Sequence, residues 1–464
     1  MKKLHRGVAW TLIFTMVFAA FTVFSEASTD EYMKIGLRYG SSETTATLGS
    51  DSGFSLGEAA GDEIITVDRD FSSQSKLTLK LSGGKIQVTD GSGDQLATLT
   101  GDGTECIMAS DYASGGVFEF SGKHYRGGII PYINPSGQMN IINYLSADDY
   151  VRGVVHSEIG QSSALEAIKA QAVAIRSFAV TNKGKHSAQG FDMCATTHCQ
   201  VYSGADSEYE STNRAVDETE GELVYYNGTP VSAYYFANSG GHTENSEDAW
   251  TAALGYLRGK ADAYSPDYSW TVELTRSQLN DTFSSKGLGT VESITIDSVN
   301  DSGYVASVTV NGSRDSITYT KENIRSALGT SLKSRNFTFD TEGGTLSGGT
   351  APSVSGKYYG CSSIGTGTLG QTVSVLSADG VTSRDLAGMT ALGSGGNKTV
   401  FTGGTAAITG TTVTFDNNSD VLIINGKGYG HGVGMSQQGA QQMGKLGFTY
   451  KEILEYYYTG IEVR

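Results

Sequence analysis

A glutamate near the end of a predicted amphipathic helix, Glu158, is the strongest candidate for acid–base chemistry. Val151, Val154 and Val155 precede it at helical spacing, so all four side chains share one apolar face. Burial beside valines disfavours the charged carboxylate and raises its pKa. A carboxylic acid that stays protonated near neutral pH is suited to donate a proton to a glycosidic oxygen. The alternative is a helix-terminal glutamate that reaches solvent.

Two basic residues share one face of the next predicted helix. Lys169 and Arg176 are seven positions apart and stand beside an apolar stripe that includes Leu165 and Ile168. Two cations in this position could hold a carboxylate or a sugar substituent. The alternative is that their apolar stems pack on the stripe while the charged groups stay in solvent.

A group of thiols and imidazoles forms the third candidate site. Cys194 and Cys199 are separated by four residues that include His198, and His186 lies eight residues before Cys194. Two thiolates and one imidazole could supply three ligands to Zn²⁺ and leave a fourth position for water. A small disulfide loop is the main rival interpretation, and unpaired thiols are the third. The spacing leaves the three open.

Two glycine-rich strings carry further histidines. The string SGGHTE at 239–244 contains His242, and the string GYGHGVGMSQ at 428–437 contains His431. Glycines allow the backbone to approach a ligand closely, at a cost in chain entropy that suggests a purpose. Neither string matches the phosphate-binding P-loop, so nucleotide binding is disfavoured.

The elements that position these residues form an α+β fold. Alternating patterns predict strands over Gly128–Ile133 and Met139–Tyr144, followed by a helix that Ser146 caps and that ends near Ile159. A second capping box, Ser163 with Glu166, predicts a helix to about Thr181. Two C-terminal helices are expected over 438–446 and 450–458. We therefore expect a mixed β-sheet core with a few packed helices, one of which carries Glu158, plus β-rich N-terminal and inserted segments.

Composition limits the function classes. The chain has 464 residues, a net charge of −16 and 38% hydrophobic residues, so a packed core is expected and a nucleic-acid partner is not. Residues 1–27 have a basic start and an apolar run, which predicts a signal peptide or a membrane anchor and action outside the cytoplasm. The remaining divisions are a β-rich accessory domain (28–117), a catalytic core (118–340), a Gly/Ser/Thr-rich insertion (341–420) and a segment completing the core (421–464).

The combined motifs resemble the stage II sporulation protein D family and the related amidase enhancers. The strings that carry the resemblance are YVRGVV at 150–155 with Glu158, EAIKAQAVAIRSFA at 166–179, QVY at 200–202, SGGHTE at 239–244 and GYGHGVGMSQQGA at 428–440.

The resemblance implies a peptidoglycan lytic transglycosylase that favours glycan strands stripped of their stem peptides. It implies that Glu158 is the catalytic acid and that a zinc ion is bound near the active site. The implied zinc ligands are His186, Cys194 and Cys199, with His198 as the alternative imidazole. The implied substrate-binding residues are Lys169, Arg176, Ser239, His242, His431, Ser436 and Gln437.

Three other functions remain open at this point. The first is a non-catalytic module that binds glycan and enhances a cell-wall amidase. The second is a zinc amidase or deacetylase that uses an open metal position, and the third is a structural envelope protein. A transglycosylase needs only one carboxylate, because the C6 hydroxyl of the substrate is the nucleophile. This fits a sequence in which Glu158 has no evident acidic partner, whereas most glycosidases use two carboxylates.

Overall fold

The computed structural model describes residues 31–61, 63–329, 331–347 and 411–464, together with four short strands between 372 and 400. The predicted signal or anchor segment, 1–27, lies outside the described residues. Among the helices that the structure describes, none has the length and hydropathy of a membrane span. The mixture of sheets and helices confirms the predicted α+β class.

The described residues contain eight α-helices. They are α1 (Ala147–Ile159), α2 (Leu165–Thr181), α3 (Glu210–Asp217), α4 (Ser246–Ala249), α5 (Arg276–Phe283), α6 (Asn323–Leu328), α7 (Gln437–Lys445) and α8 (Tyr450–Tyr457).

The strands are short, with nine residues in the longest. In chain order they are β1 (Tyr32–Arg38), β2 (Thr45–Gly49), β3 (Phe54–Ala59), β4 (Ile64–Phe71), β5 (Lys76–Ser82), β6 (Lys85–Thr89), β7 (Gln95–Leu99), β8 (Glu105–Ala109), β9 (Phe118–Phe120), β10 (Lys123–Tyr125), β11 (Gly128–Ile133), β12 (Met139–Ser146), β13 (Met193–Cys194), β14 (Val224–Tyr226), β15 (Thr229–Pro230), β16 (Tyr235–Phe236), β17 (Ser269–Thr275), β18 (Val291–Val299), β19 (Val305–Gly312), β20 (Ser316–Thr320), β21 (Phe337–Glu342), β22 (Thr345–Ser347), β23 (Thr372–Ser377), β24 (Gly380–Asp385), β25 (Thr390–Leu392), β26 (Lys398–Val400), β27 (Thr412–Thr414), β28 (Val421–Lys427), β29 (Met435–Ser436) and β30 (Ile461–Val463).

Two sheets and the first two helices share one hydrophobic core. The seven-stranded sheet has the order β13-β1-β12-β11-β8-β3-β4, and the six-stranded sheet has the order β10-β9-β2-β5-β6-β7. Strand β1 pairs antiparallel with β12, the strand that leads into α1. Buried side chains of both sheets, of α1 and of α2 form a single cluster. The boundary expected at 117/118 therefore falls inside one core, because residues before and after it pair in the same sheet.

A second core lies in the later part of the chain. Strands β17-β28-β21 form one sheet and β20-β19-β18-β27-β22 form another, and their buried residues cluster with α5 and α6. The C-terminal helices α7 and α8 pack on α2 in a third cluster. Segment 421–464 thus supplies a central strand to one sheet and two helices to the side of α2.

Most local signals near the site are confirmed, and one is wrong. The Ser146 hydroxyl accepts a hydrogen bond from the Asp149 backbone N–H and caps α1, and α7 and α8 lie within one residue of the two predicted C-terminal helices. The Ser163 cap of α2 is wrong, because the helix begins one residue later and its N-cap is Ala164. Ser163 donates instead to the Ile159 carbonyl at 2.7 Å, which ties it to the end of α1.

Candidate active site

Helix α1 places Glu158 at the edge of the main core. Val151, Val154 and Val155 are fully buried, as their shared face predicts, while Glu158 lies one residue before the end of the helix and is half-buried. Gly160 follows with a φ of 77°, a left-handed value that favours glycine and turns the chain away from the helix. The carboxylate therefore lies where an apolar core meets an accessible surface.

Two polar side chains lie beside the Glu158 carboxylate. Gln437 donates from Nε2 to Glu158 Oε2 at 3.2 Å, and the Tyr235 hydroxyl lies near enough to favour the charged form of the carboxylate. Burial raises the pKa of Glu158, and the hydrogen bonds with Gln437 and Tyr235 oppose that rise. The net shift is upward, as a general acid requires.

A chain of buried polar groups holds Tyr235 in place. The Tyr150 hydroxyl donates to Gln200 Oε1 at 3.0 Å, and Gln200 Nε2 donates to the Tyr235 hydroxyl oxygen at 3.0 Å. Since Gln200 supplies that proton, the Tyr235 hydroxyl keeps its own proton, which is available to the nearby Glu158 carboxylate. The network runs from the core of α1, through the loop after β13, to the candidate acid.

A short parallel strand pair explains why Tyr235 and Gln437 reach the same carboxylate. Strands β16 and β29 pair with Tyr235 opposite Met435 and Phe236 opposite Ser436. Ser436 then caps α7 by accepting from the Gly439 N–H at 3.2 Å, which sets the direction of the first helical residue, Gln437.

His431 supports this strand pair from behind. Its Nδ1 accepts from the Val433 N–H at 3.0 Å, which leaves Nε2–H to donate to the Tyr235 carbonyl at 3.1 Å. The ring contacts Phe236 and Trp250. Burial lowers the pKa of His431 to about 4, so the ring is neutral at ordinary pH. Through these contacts His431 holds the backbone at Tyr235 and Val433 in place.

The SGGHTE string forms a turn beside the same strands. Ser239 is buried, its Oγ accepts from the Gly241 N–H at 3.2 Å, and its N–H donates to Ser265 Oγ at 3.2 Å. Ser265 Oγ also lies 3.3 Å from Ser436 Oγ, so one serine joins the two glycine-rich strings. His242 is half-buried and donates from Nδ1 to the Thr243 carbonyl at 2.6 Å.

A buried ion pair fixes this turn to the second core. Glu244 and Arg335 are both buried and hydrogen-bonded to each other, and Asn300 Nδ2 donates to Glu244 Oε1 at 3.0 Å. Arg335 also donates from Nε to Glu322 at 2.8 Å. The turn is therefore anchored at both of its ends, by the hydrogen bond between Ser239 and Ser265 and by the ion pair between Glu244 and Arg335.

Lys169 and Arg176 are occupied by ion pairs of their own. Lys169 Nζ lies 2.9 Å from Glu166 and 2.6 Å from Glu218. Arg176 is almost fully buried, and its Nε donates to Asp148 at 2.7 Å in the first turn of α1. In these described contacts Lys169 ties α2 to the end of α3, and Arg176 ties α2 to α1. Because Arg176 is buried, the alternative in which its charge stays in solvent is wrong.

The predicted metal loop brings four donor groups together. The ligand atoms of His186, Cys194, His198 and Cys199 all lie within 4.8 Å of one another, a set that could hold a metal ion. Cys199 Sγ is 3.4 Å from His186 Nε2 and 3.5 Å from His198 Nδ1. Both cysteines are free thiols, so the structure contains no Cys194–Cys199 disulfide. Both histidines approach the thiols, so His198 lies beside the three predicted ligands His186, Cys194 and Cys199 as a fourth donor.

Neighbouring groups prepare this set for a cation. Gln189 Oε1 lies 2.8 Å from His186 Nδ1, which directs the lone pair of Nε2 toward Cys199. Burial opposes ionisation of the Cys194 thiol, but hydrogen bonds from Thr196 and His198 lower its pKa to about 5. Strand β13 pairs with β1 at Cys194, which anchors the loop to the main sheet.

Much of this chain is similar in sequence to known proteins. It is 31% identical over 319 residues to the amidase enhancer of Bacillus subtilis, a match that covers 67% of this chain and 39% of that protein. It is 28% identical over 353 residues to an uncharacterised protein of Brachyspira hyodysenteriae, covering 75% of this chain and 74% of the relative. It is 26% identical over 340 residues to stage II sporulation protein D of Bacillus subtilis, covering 69% of this chain and 75% of the relative.

Residues 135–226 match the family described as stage II sporulation protein. This part of the chain is similar to the domain of the stage II sporulation protein family. This confirms the resemblance drawn from the motifs and supports a role connected with the cell wall. The sporulation protein D domain includes Glu158, Gln200 and the whole Cys/His group, whereas Tyr235 and Gln437 lie outside the matched residues.

Two residues of the site, Tyr235 and Gln200, were not predicted from sequence patterns. Tyr235 lies in a run of apolar and aromatic residues that predicts only a buried strand, and its contact with Glu158 depends on the pairing of β16 with β29. Gln200 directly follows Cys199, and the QVY string that contains it was the available signal. The contact between Glu158 and Gln437 was likewise beyond sequence patterns, although both residues were candidates.

Proposed function

We propose that the protein is a peptidoglycan lytic transglycosylase in which Glu158 is the catalytic acid. The observation that supports this most is the half-buried Glu158 carboxylate, whose pKa is raised by burial and which accepts a hydrogen bond from Gln437. Both partners are neutral, so no second acid among the described contacts of Glu158 is available to activate water.

A single carboxyl group is enough for the proposed reaction. Protonated Glu158 gives its proton to the glycosidic oxygen as the bond between that oxygen and C1 of MurNAc breaks. The C6 hydroxyl of the same MurNAc then bonds to C1 and gives its proton to the Glu158 carboxylate, which closes a 1,6-anhydro ring. The carboxyl group ends in its starting state. The Tyr235 and Gln437 hydrogen bonds stabilise the carboxylate between the two proton transfers.

The Cys/His group fits Zn²⁺ as a structural ion. Thiolate and imidazole ligands are those that zinc prefers, and His186, Cys194, His198 and Cys199 would complete a tetrahedral set. When bound, zinc would cross-link the loop that ends at Gln200. Four protein ligands leave no open position for a water molecule, so this arrangement argues against a zinc amidase or deacetylase.

The proposed setting is the cell envelope. The relatives with sporulation and amidase-enhancer names support action at the wall. We propose glycan strands as the substrate, preferably those stripped of stem peptides, and residues 1–27 as a signal peptide or an anchor. The full activity and partners of the amidase enhancer are not carried over, because this chain spans 39% of its length.

A digest of purified, peptide-free glycan strands tests the proposal. We expect 1,6-anhydro-MurNAc ends in the mass spectrum, and we expect Glu158→Gln to lower the rate about 10²–10⁴-fold. The matched control is Glu455→Gln, an exposed glutamate of α8 that should leave the rate unchanged. Cleavage by Glu158→Gln at the wild-type rate would refute the residue assignment.

The second candidate function is a glycan-binding enhancer of a cell-wall amidase. The name of the Bacillus subtilis relative favours it. The enhancer predicts that the purified protein cuts no glycan bond but increases the rate of a partner amidase, and that Glu158→Gln retains this stimulation. The transglycosylase predicts cleavage without any partner.

A further inference from the structure

An exposed tyrosine lies at the tip of the second glycine-rich string. Tyr429 exposes 41% of its surface, more than most large aromatic side chains of a folded domain, while the residues on both sides of it are glycines. The Tyr268 ring lies 6.1 Å away between centroids, at an interplanar angle of 31°. Lys333 Nζ lies 5.2 Å from the Tyr429 centroid. We call Tyr429, Tyr268 and Lys333 the aromatic platform.

The backbone of the platform is held rigidly. The Tyr429 N–H donates to the Asn238 carbonyl at 2.8 Å, and the Asn238 N–H donates back at 3.0 Å. Gly428 N–H donates to the Tyr268 carbonyl and Gly430 N–H to the Lys333 carbonyl, both at 2.8 Å. Each member of the platform is therefore bonded to the same tip. A backbone fixed in this way positions the ring before a ligand arrives, which lowers the entropic cost of binding.

The platform is connected to the candidate active site along the chain. Tyr235, which contacts Glu158, is three residues before Asn238 on the same segment, a separation of roughly 10 Å in extended chain. The string that presents Tyr429 also continues directly to Gln437, the other partner of Glu158.

We propose that the aromatic platform is a remote glycan-binding subsite. The apolar face of a pyranose ring would stack on the Tyr429 ring, and the Lys333 ammonium would pair with the lactyl carboxylate of a MurNAc residue. Stem peptides use that carboxylate in an amide bond, so the positive charge recognises the peptide-free sugar. This inference rests on the proposed function for its substrate class, and it adds the groups that read the sugar.

Binding measurements on the non-cleaving Glu158→Gln protein test the subsite. Isothermal titration would use peptide-free GlcNAc–MurNAc strands and chitooligosaccharides of equal length, which have no lactyl carboxylate. We expect Tyr429→Ala to weaken binding of both ligands about three- to tenfold, and Tyr429→Phe to retain it. We expect Lys333→Gln to weaken binding of the MurNAc strands alone, about two- to fivefold.

The matched control is Tyr225→Ala. Tyr225 is a tyrosine with a cation over its ring, Arg464 at 4.3 Å, but it lies on strand β14, outside the second glycine-rich string. Tyr225→Ala should leave the affinities for the MurNAc strands and for the chitooligosaccharides unchanged. Thermal melts of all variants would show that the fold is kept. Wild-type affinity in Tyr429→Ala, or equal losses for both ligands in Lys333→Gln, would overturn the subsite.

Failure of the subsite and failure of the proposed function give different results. If the wild type forms no anhydro ends while Tyr429→Ala still weakens binding, the subsite stands and the transglycosylase is wrong. If anhydro ends form and Tyr429→Ala binds normally, the transglycosylase stands and the subsite is wrong.

Discussion

Gln437 donates a hydrogen bond to Glu158 at 3.2 Å across a sequence separation of 279 residues. The two residues come from opposite ends of the described core, one from the last turn of α1 and the other from the first residue of α7. Their contact joins the glycine-rich string to the candidate acid and favours the charged form of its carboxylate, against the larger effect of burial.

Removing the Gln437 donor should shift the pH profile of cleavage. The hydrogen bond favours the charged carboxylate, so Gln437→Leu should raise the pKa of Glu158 further above its usual value. A general acid is protonated below its pKa, and the alkaline limb of the rate profile should therefore move to higher pH. Gln442→Leu, an exposed glutamine on α7, is the control. An unmoved alkaline limb would contradict the assigned contact.

Removing the Tyr235 hydroxyl should affect both activity and stability. Tyr235→Phe leaves Gln200 Nε2 buried without its acceptor, which should cost about 1–3 kcal/mol of unfolding free energy. It should also raise the pKa of Glu158, because one hydrogen bond to the carboxylate is lost. Denaturant unfolding and a pH–rate profile check the two effects. Tyr234→Phe is the control, and equal behaviour of both variants would argue against the network.

The fold class and the helix that carries Glu158 follow from the sequence, because the valine face and the Ser146 cap are local signals that burial reinforces. The partners of Glu158 do not follow from it. Tyr235 and Gln437 reach the carboxylate through a two-residue strand pair, and no local pattern specifies which distant segments pair. The Ser163 cap failed for a different reason, since a local acceptor, the Ile159 carbonyl four residues earlier, takes the hydrogen bond of its hydroxyl.

Both histidines of the metal loop should matter equally. His186 and His198 each lie within 3.5 Å of Cys199 Sγ, so we expect one bound zinc per chain and a large loss of affinity in either His186→Ala or His198→Ala. Elemental analysis and competition with a chelating dye measure this. His124→Ala, on strand β10, should retain the metal. Wild-type affinity in either loop variant would reduce the ligand set to three.

Arg176 should prove to be a stability residue. Arg176→Met leaves the Asp148 carboxylate buried without its cation, which should cost about 3–5 kcal/mol of unfolding free energy. Lys183→Met breaks a partly exposed pair with Glu31 and should cost about 0–1 kcal/mol. We expect the folded fraction of Arg176→Met to keep the wild-type rate per molecule. A folded variant with lost cleavage would show instead that Arg176 acts on the substrate.

The most direct test of the account is glycan cleavage in water enriched in ¹⁸O. The account predicts that the wild-type protein releases MurNAc ends that contain no ¹⁸O, because the C6 hydroxyl of the sugar attacks C1. It also predicts that Glu158→Gln releases almost no new MurNAc ends. Incorporation of one ¹⁸O atom at each new end would show hydrolysis by water and would contradict the single-carboxylate mechanism.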